Sequence, residues 1–246
     1  RFHLVGHSMG GLTALMLATV SQGDVIYQSD FTGADLASAG LATSVGVNGT
    51  WTLDTANDRA TGQRTASNPR ANLTTTGSWQ SDGGFTLDVT FNQRIAGARY
   101  SFGIVDAAWA VHASTDVLNV GTAGTTDYGL GFSAVGLGSD KLVSNNGSAL
   151  STLSTGQGNN TPGNVETMSI TVTPTSWSYS LNGAPATTGS MTFDTSRSFR
   201  FVAHAQNVDE QYISNITLTA VPEPGTIGML GLGAVMALFL RRRVAT

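Results

Sequence analysis

The chain has 246 residues, of which 40% are apolar and 11% are charged, with 30 glycines, no cysteine and a formal net charge of -4. This length fits one domain, and so low a charged fraction in a chain rich in Gly, Ser and Thr is typical of an exported β-rich protein. The acidic balance excludes a basic nucleic-acid-binding protein, and the lack of cysteine excludes disulfides, iron-sulfur clusters and cysteine-ligated zinc.

The first 23 residues contain an apolar segment that is typical of a secretory signal. Residues 12–20 are apolar, and the small residues Ser21 and Gly23 stand at the minus three and minus one positions before Asp24. This arrangement permits signal peptidase cleavage at that point. Residues 1–23 are therefore predicted to be a signal-peptide-like segment.

The same segment supports a second interpretation, because residues 6–11 read GHSMGG. This motif resembles the nucleophile elbow of α/β-hydrolase lipases and esterases, where a serine is held at a sharp turn between a strand and a helix. The resemblance implies Ser8 as the nucleophile and the backbone amide of Met9 as an oxyanion donor. A hydrolase also requires strand-helix alternation, which the chain after Asp24 lacks, and a region upstream of Arg1. A truncated serine ester hydrolase is therefore the alternative hypothesis.

The middle of the chain is predicted to consist of short strands without helices. Apolar and polar residues alternate over residues 85–91, 168–172, 177–181 and 199–201, and further strands are expected at 99–105, 116–120, 128–135, 191–193 and 212–221. Asn182-Gly183 indicates a tight turn. The stretch 144–163, rich in Gly, Ser, Asn and Thr, is predicted to be a long surface loop. Roughly ten strands in this pattern predict two packed antiparallel sheets.

This middle region resembles the concanavalin-like and laminin-G-like jelly rolls. The segments that carry the resemblance are residues 24–31, 101–106, 177–183 and 213–220. It implies an all-β antiparallel β-sandwich that extends over residues 24–220.

The C-terminus has three parts in a fixed order. They are Pro222-Glu223-Pro224, the uncharged apolar residues 226–240, and the run Arg241-Arg242-Arg243. An apolar segment followed by arginines is typical of a transmembrane helix with a cytoplasmic flank, although at about 1.5 Å per residue it is shorter than a hydrocarbon core of roughly 30 Å. The three parts resemble the PEP-CTERM sorting signal, which implies recognition and processing by an exosortase. Residues 221–246 are predicted to be this sorting and anchor segment.

Few residues in the sandwich region suggest catalysis. In α/β-hydrolases the catalytic histidine follows the nucleophile and the acid in sequence. After Ser8 the candidate histidines are His112, which is predicted to be half-buried in a strand, and His204, which is predicted to be a surface strand histidine. Glu166 and Glu210 each lack a second carboxylate two residues away. The paired carboxylates of a retaining glycosidase are therefore not predicted.

Two kinds of binding site are open at this stage. Asp30 and Asp209 could supply oxygen ligands to a structural Ca²⁺, or they could be solvated turn carboxylates. The four tryptophans could include a sugar-stacking platform, but Trp177 in its alternating strand favours a core position. Calcium is the only cofactor that the sequence suggests.

The leading hypothesis is an exported, membrane-sorted bacterial envelope protein with a non-catalytic sandwich. Its expected partners are an exosortase-like sorting protease, the membrane through the C-terminal helix, and a polysaccharide of the biofilm matrix. No nucleic acid is expected, and no catalytic residue is assigned unless the hydrolase alternative holds.

Overall fold

The computed structural model describes residues 23–44, 49–64, 70–92, 99–108, 128–135, 141–146, 150–155, 165–206 and 211–223. Within these ranges the chain forms fifteen β-strands and no α-helix. In chain order the strands are β1 (Val25–Ser29), β2 (Leu41–Ser44), β3 (Gly49–Asp54), β4 (Arg59–Arg64), β5 (Arg70–Thr75), β6 (Phe85–Asn92), β7 (Arg99–Asp106), β8 (Tyr128–Val135), β9 (Lys141–Asn146), β10 (Leu150–Thr155), β11 (Val165–Val172), β12 (Ser176–Leu181), β13 (Thr187–Ser190), β14 (Phe199–Gln206) and β15 (Gln211–Ala220).

The strands form two antiparallel sheets. The larger sheet has eight strands in the order β13-β12-β11-β6-β15-β4-β3, with β1 pairing to β15. The smaller sheet has seven strands in the order β10-β9-β8-β7-β14-β5-β2. The all-β antiparallel sandwich predicted from the alternating segments is confirmed.

The two sheets meet in one aromatic core. Along β6 the side chains alternate between buried and half-buried, as expected for a strand with one face on a core. The ring of Phe91 on β6 lies 5.0 Å from Phe102 and 5.8 Å from Phe132, both on the opposite sheet. Phe85 and Phe199 make a second contact between the sheets at 5.5 Å. These interlocking rings hold the sheets together over the length of β6.

The tight turn predicted at Asn182-Gly183 is confirmed. Both residues have positive φ, 51° and 71°, and the Ala184 N–H donates to the Leu181 carbonyl at 2.9 Å, as in a tight type I′ turn. Asn182 also fastens the end of β12 to β11, because its N–H donates to the Thr167 carbonyl at 2.7 Å and its Oδ1 accepts from the Thr167 N–H at 2.9 Å.

The strand predicted at residues 191–193 is wrong. The segment is an irregular connection in which the N–H of Met191 donates to the Thr175 carbonyl and the N–H of Phe193 donates to the Pro174 carbonyl. Phe193 is buried and Met191 packs against the core, so this alternation reflects contact with the core without sheet pairing.

The long loop predicted over residues 144–163 is also wrong in part. Strand β9 continues to Asn146, and Leu150–Thr155 returns beside it as β10. Composition misled the prediction because Thr suits a pleated strand as well as a loop. Residues 147–149 and 156–163, like the strand predicted at 116–120, lie outside the described residues.

No helix among the described residues is both long and apolar enough to cross a membrane. The predicted signal-like segment and the predicted transmembrane helix at 226–240 both lie outside the described ranges.

Candidate functional site

The two ends of the sandwich lie side by side. Strand β1 pairs with the last strand, β15, and the Ala220 N–H donates to the Asp24 carbonyl at 2.9 Å. The point of predicted signal cleavage therefore neighbours the first residue of the C-terminal tail.

The tail begins on the surface of the turn that precedes β6. The Val221 N–H donates to the Gly84 carbonyl at 2.9 Å, and the Ser81 hydroxyl donates to the Val221 carbonyl at 3.3 Å. An open pocket of about 370 Å³ lies beside this junction and is lined by Gln80, Ser81, Asp82, Gly83, Val221 and Glu223. Of the predicted sorting residues, Pro222 and Glu223 lie here, whereas Pro224 and Arg241, Arg242 and Arg243 lie outside the described residues.

The outward face of the larger sheet is lined by small hydroxyl side chains. On strands β6, β11, β12 and β15 the half-buried or exposed Ser and Thr of this face are Thr86, Thr90, Thr167, Ser169, Thr171, Ser176, Ser178, Ser180, Thr217 and Thr219. We call this set the hydroxyl face. On these four fully described strands the only charged outward side chain is Asp88, which lies in register between Thr217 and Ser169.

The hydroxyl face is suited to exchange hydrogen bonds with a neutral ligand. The hydroxyls of Thr86 and Thr171 lie 2.9 Å apart, and those of Thr90 and Thr167 lie 3.4 Å apart. Each hydroxyl can donate one hydrogen bond and accept two, so one cross-strand bond leaves further capacity. Because the face carries a single carboxylate, little charge has to be desolvated when it is covered.

His204 is not a surface histidine, and that prediction is wrong. It is fully buried, and its Nδ1 lies 2.7 Å from the Asn72 Oδ1. The alternation was correct, since His204 points away from the core face of β14. That second face of the smaller sheet is itself buried, and Val105, Val143 and Val202 form a separate apolar cluster on it. His112, Ser8 and Met9 lie outside the described residues.

Asp30 closes a local turn. Its Oδ1 accepts hydrogen bonds from the Thr32 hydroxyl at 2.8 Å and from the Thr32 N–H at 3.2 Å, and these bonds lower the pKa of the Asp30 carboxyl. Among the residues that the structure describes, no group of three or more His, Cys, Asp or Glu is placed to hold a metal ion. Asp209 lies outside those residues, so calcium binding by this pair stays a prediction.

One ionic cluster was not predicted. Arg197 donates to Asp106 at 2.8 Å and to Asp194 at 3.0 Å, and its guanidinium lies 4.3 Å from the centre of the Tyr128 ring. Hydrogen bonds from Ser196 and Arg197 lower the pKa of Asp194. Only the short spacing of Asp194 and Arg197 was visible in the sequence, because Asp106 lies on a distant strand. These two carboxylates are held by one arginine and do not resemble an acid-base pair.

Two of the four tryptophans are core residues, and for Trp177 the alternation of its strand favoured this position. Trp51 is 2% exposed and Trp177 is 6% exposed. Trp79 is half-buried, with its ring 5.3 Å from that of Tyr27, whose hydroxyl donates to the Ala39 carbonyl at 2.8 Å. Trp109 lies outside the described residues.

The hydroxyl of the half-buried Tyr27 is expected to make the sandwich less stable at high pH. Burial raises the pKa of Tyr27 to about 12 from 10.0. The folded state therefore holds this proton more tightly than the unfolded state, and its stabilising effect is complete below pH 10.0 and is lost as the pH rises towards 12. Tyr27→Phe should cost about 1 kcal/mol at neutral pH through the lost hydrogen bond. Its free energy of unfolding, measured in urea, should then fall less steeply than that of the wild type above pH 10. Parallel declines in the two proteins would contradict this assignment.

Comparison with known families identifies the tail. Residues 220–243 match the model of the PEP-CTERM protein-sorting motif. The chain carries a PEP-CTERM motif. A PEP-CTERM motif implies export, processing by an exosortase and anchoring through the C-terminus. The match begins at Ala220, so the PEP-CTERM motif starts on the last residue of β15.

Several solved structures share the sandwich that precedes the PEP-CTERM motif. The potassium-bound carbohydrate recognition domain of Emp46p has a TM-score of 0.58 at 12% identity, over 82% of this chain and 100% of that one. The exoplasmic/lumenal domain of VIP36, in its Ca²⁺/Man2-bound form, has a TM-score of 0.55 at 10% identity, over 81% and 91%. A laminarinase from Flavobacterium sp. has a TM-score of 0.52 at 11% identity, over 80% and 100%.

At these identities the likeness shows the fold alone. The fold is a lectin-like, concanavalin-like β-sandwich, as the resemblance of the middle region implied. No curated protein matches the chain.

Proposed function

We propose that the chain is an exported envelope protein in which the sandwich, residues 24–220, binds a neutral polysaccharide without cleaving it, while residues 221–246 sort and anchor it. The observation that carries this proposal is the hydroxyl face, ten Ser and Thr residues with a single carboxylate among them. The lectin-like fold and the PEP-CTERM motif support it. The natural setting for such a protein is an exopolysaccharide or biofilm matrix.

The chemistry of the face matches that of a neutral sugar chain. Sugar hydroxyls both donate and accept hydrogen bonds, as Ser and Thr hydroxyls do. Neighbouring strands are about 4.8 Å apart, and alternate residues of one strand are about 6.8 Å apart, so the hydroxyls form a regular array. Each contact is weak, with a net value of about 1 kcal/mol. An extended polymer that contacts many hydroxyls at once gains affinity by multivalency, whereas a monosaccharide does not.

The arrangement of charges favours binding over hydrolysis. Asp106 and Asp194 are bridged by Arg197, and hydrogen bonds keep the pKa of Asp194 low, so Asp194 has no proton to donate near neutral pH. Asp88 lies among hydroxyls in the register of the hydroxyl face, between Thr217 and Ser169. General acid catalysis of glycoside cleavage needs a carboxyl with a raised pKa, whereas the pKa of Asp194 is lowered.

The test is a titration of the full chain with neutral and acidic polysaccharides, with a matched pair of variants. Thr171→Val with Thr217→Val removes two hydroxyls from the face while keeping side-chain shape. Binding of a neutral polysaccharide should weaken about thirtyfold, the equivalent of two hydrogen bonds of about 1 kcal/mol each. Thr192→Val removes an exposed hydroxyl off the face and should leave binding unchanged. Unaltered binding in the double variant would rule out the hydroxyl face, and no binding by the wild type would rule out the proposed function.

A further inference from the structure

We propose that the sorting enzyme cleaves the chain on the C-terminal side of Glu223, so that Val221, Pro222 and Glu223 stay docked on the mature sandwich. This inference rests on the exosortase processing that the PEP-CTERM motif implies, and it is independent of polysaccharide binding.

The chain has no free linker between the last strand and the sorting motif. Ala220 pairs with Phe85 of β6 on one side, and its N–H donates to the Asp24 carbonyl on the other. The next residue, Val221, donates its N–H to the Gly84 carbonyl. Backbone hydrogen bonds therefore continue into the motif itself.

The bond between Val221 and Pro222 is seated directly on Gly83. A Cβ atom at position 83 would lie 2.0 Å from the Val221 carbonyl oxygen and 2.8 Å from the Pro222 oxygen, so only glycine allows this approach. The Ser81 hydroxyl holds the same Val221 oxygen. Val221 and Pro222 are half-buried, whereas Glu223 is exposed.

A protease needs several residues of extended, unpaired chain on each side of the bond that it cuts, and cleavage within folded structure depends on local opening. Opening the chain before Pro222 would break the hydrogen bonds of β15, which pairs with β6 on one side and with β1 and β4 on the other. The Val221–Pro222 and Glu223–Pro224 bonds also lack the N–H that an ordinary peptide bond offers. Cleavage at or before the Pro222–Glu223 bond therefore requires the docked residues to leave the sandwich.

The experiment is to determine the intact mass and C-terminal peptide of the protein recovered from a host with an exosortase and from the same host without it. The expected product, formed only with the enzyme, keeps Val221, Pro222 and Glu223. A C-terminus at Pro222 or any earlier residue would overturn the proposed position. An uncut chain in both hosts would overturn both the proposed cleavage position and the proposed processing. A titration of the same sample with polysaccharide tests the binding proposal separately.

A second measurement tests the docking itself. Limited digestion of the purified full chain with a broad-specificity protease should stop beyond Glu223 in the wild type. In Gly83→Ala, where the added methyl group displaces Val221 and Pro222, digestion should reach the Val221 region about threefold faster or more. Ser81→Ala, which removes one hydrogen bond, should give a smaller increase if Gly83→Ala does not fold. Gly183→Ala is the control, because nothing lies within 4 Å of its added Cβ. Equal digestion of all four proteins would overturn the docked arrangement.

Discussion

Replacing Phe91 with alanine is expected to lower the free energy of unfolding by about 3–5 kcal/mol. Phe91 lies on β6, in the middle of the larger sheet, and its ring fills the space between Phe102 and Phe132 of the other sheet. Phe91 is 0% exposed, so its replacement with alanine leaves a cavity that is lined by both sheets. Equilibrium unfolding in urea measures the change.

Val165→Ala is the matched control for this prediction. Val165 lies on the neighbouring strand, β11, but is 55% exposed, so its truncation should change the free energy of unfolding by less than about 0.5 kcal/mol. If the two variants lost similar stability, the contact between Phe91 and the smaller sheet would be incorrect.

Gly84→Ala is expected to cost about 3 kcal/mol or more, or to prevent folding. Gly84 has a φ of 101°, which an L-amino acid rarely adopts. An added Cβ would also lie 2.0 Å from the Val172 carbonyl oxygen and 2.9 Å from the Thr173 Cα. Because both atoms belong to the backbone, the steric overlap can be relieved only if β6 and β11 separate at this end.

Gly183→Ala separates backbone conformation from steric contact. Gly183 also has a positive φ, 71°, but nothing lies within 4 Å of a Cβ at that position. Its substitution should cost only about 1–2 kcal/mol, the usual price of the left-handed conformation. Thermal unfolding of the two variants measures the difference, and equal midpoints would show that the contact with Val172 is not limiting.

The parts of the fold that depend on local pattern could be predicted from the sequence. The strand expected at residues 128–135 is β8 without change, and the one expected at 85–91 differs from β6 by one residue. In both, the side-chain period of two is a property of neighbouring residues. The same rule failed at 191–193, where Met191 and Phe193 alternate because they lie on the core. Alternation reports which side is buried and does not require a paired strand.

The candidate sites were predictable only where they are contiguous. The sorting motif is a run of adjacent residues, so order and spacing were enough to predict it. Its contact with Gly83 joins segments that are far apart in sequence, and no local pattern indicates it. The hydroxyl face has the same difficulty, because Thr86, Thr171 and Thr219 become neighbours only through the order of β11, β6 and β15. The prediction that His204 lies on the surface was wrong for a related reason, because the burial of the second face of its sheet is set by tertiary packing.

The place of β15 sets the order in which the molecule can assemble. Strands β3, β4 and β6 are synthesised early. Strand β15 is synthesised after all the other described strands, yet it lies between β6 and β4 in the larger sheet, and it is the only partner described for β1. In a nascent chain the larger sheet therefore lacks the strand between β6 and β4 until Ala220 has been synthesised. Closure then depends on pairings of very long sequence separation, such as Val25 with Thr219, which makes folding slow and late. The larger sheet therefore cannot be completed until synthesis has almost reached the sorting signal.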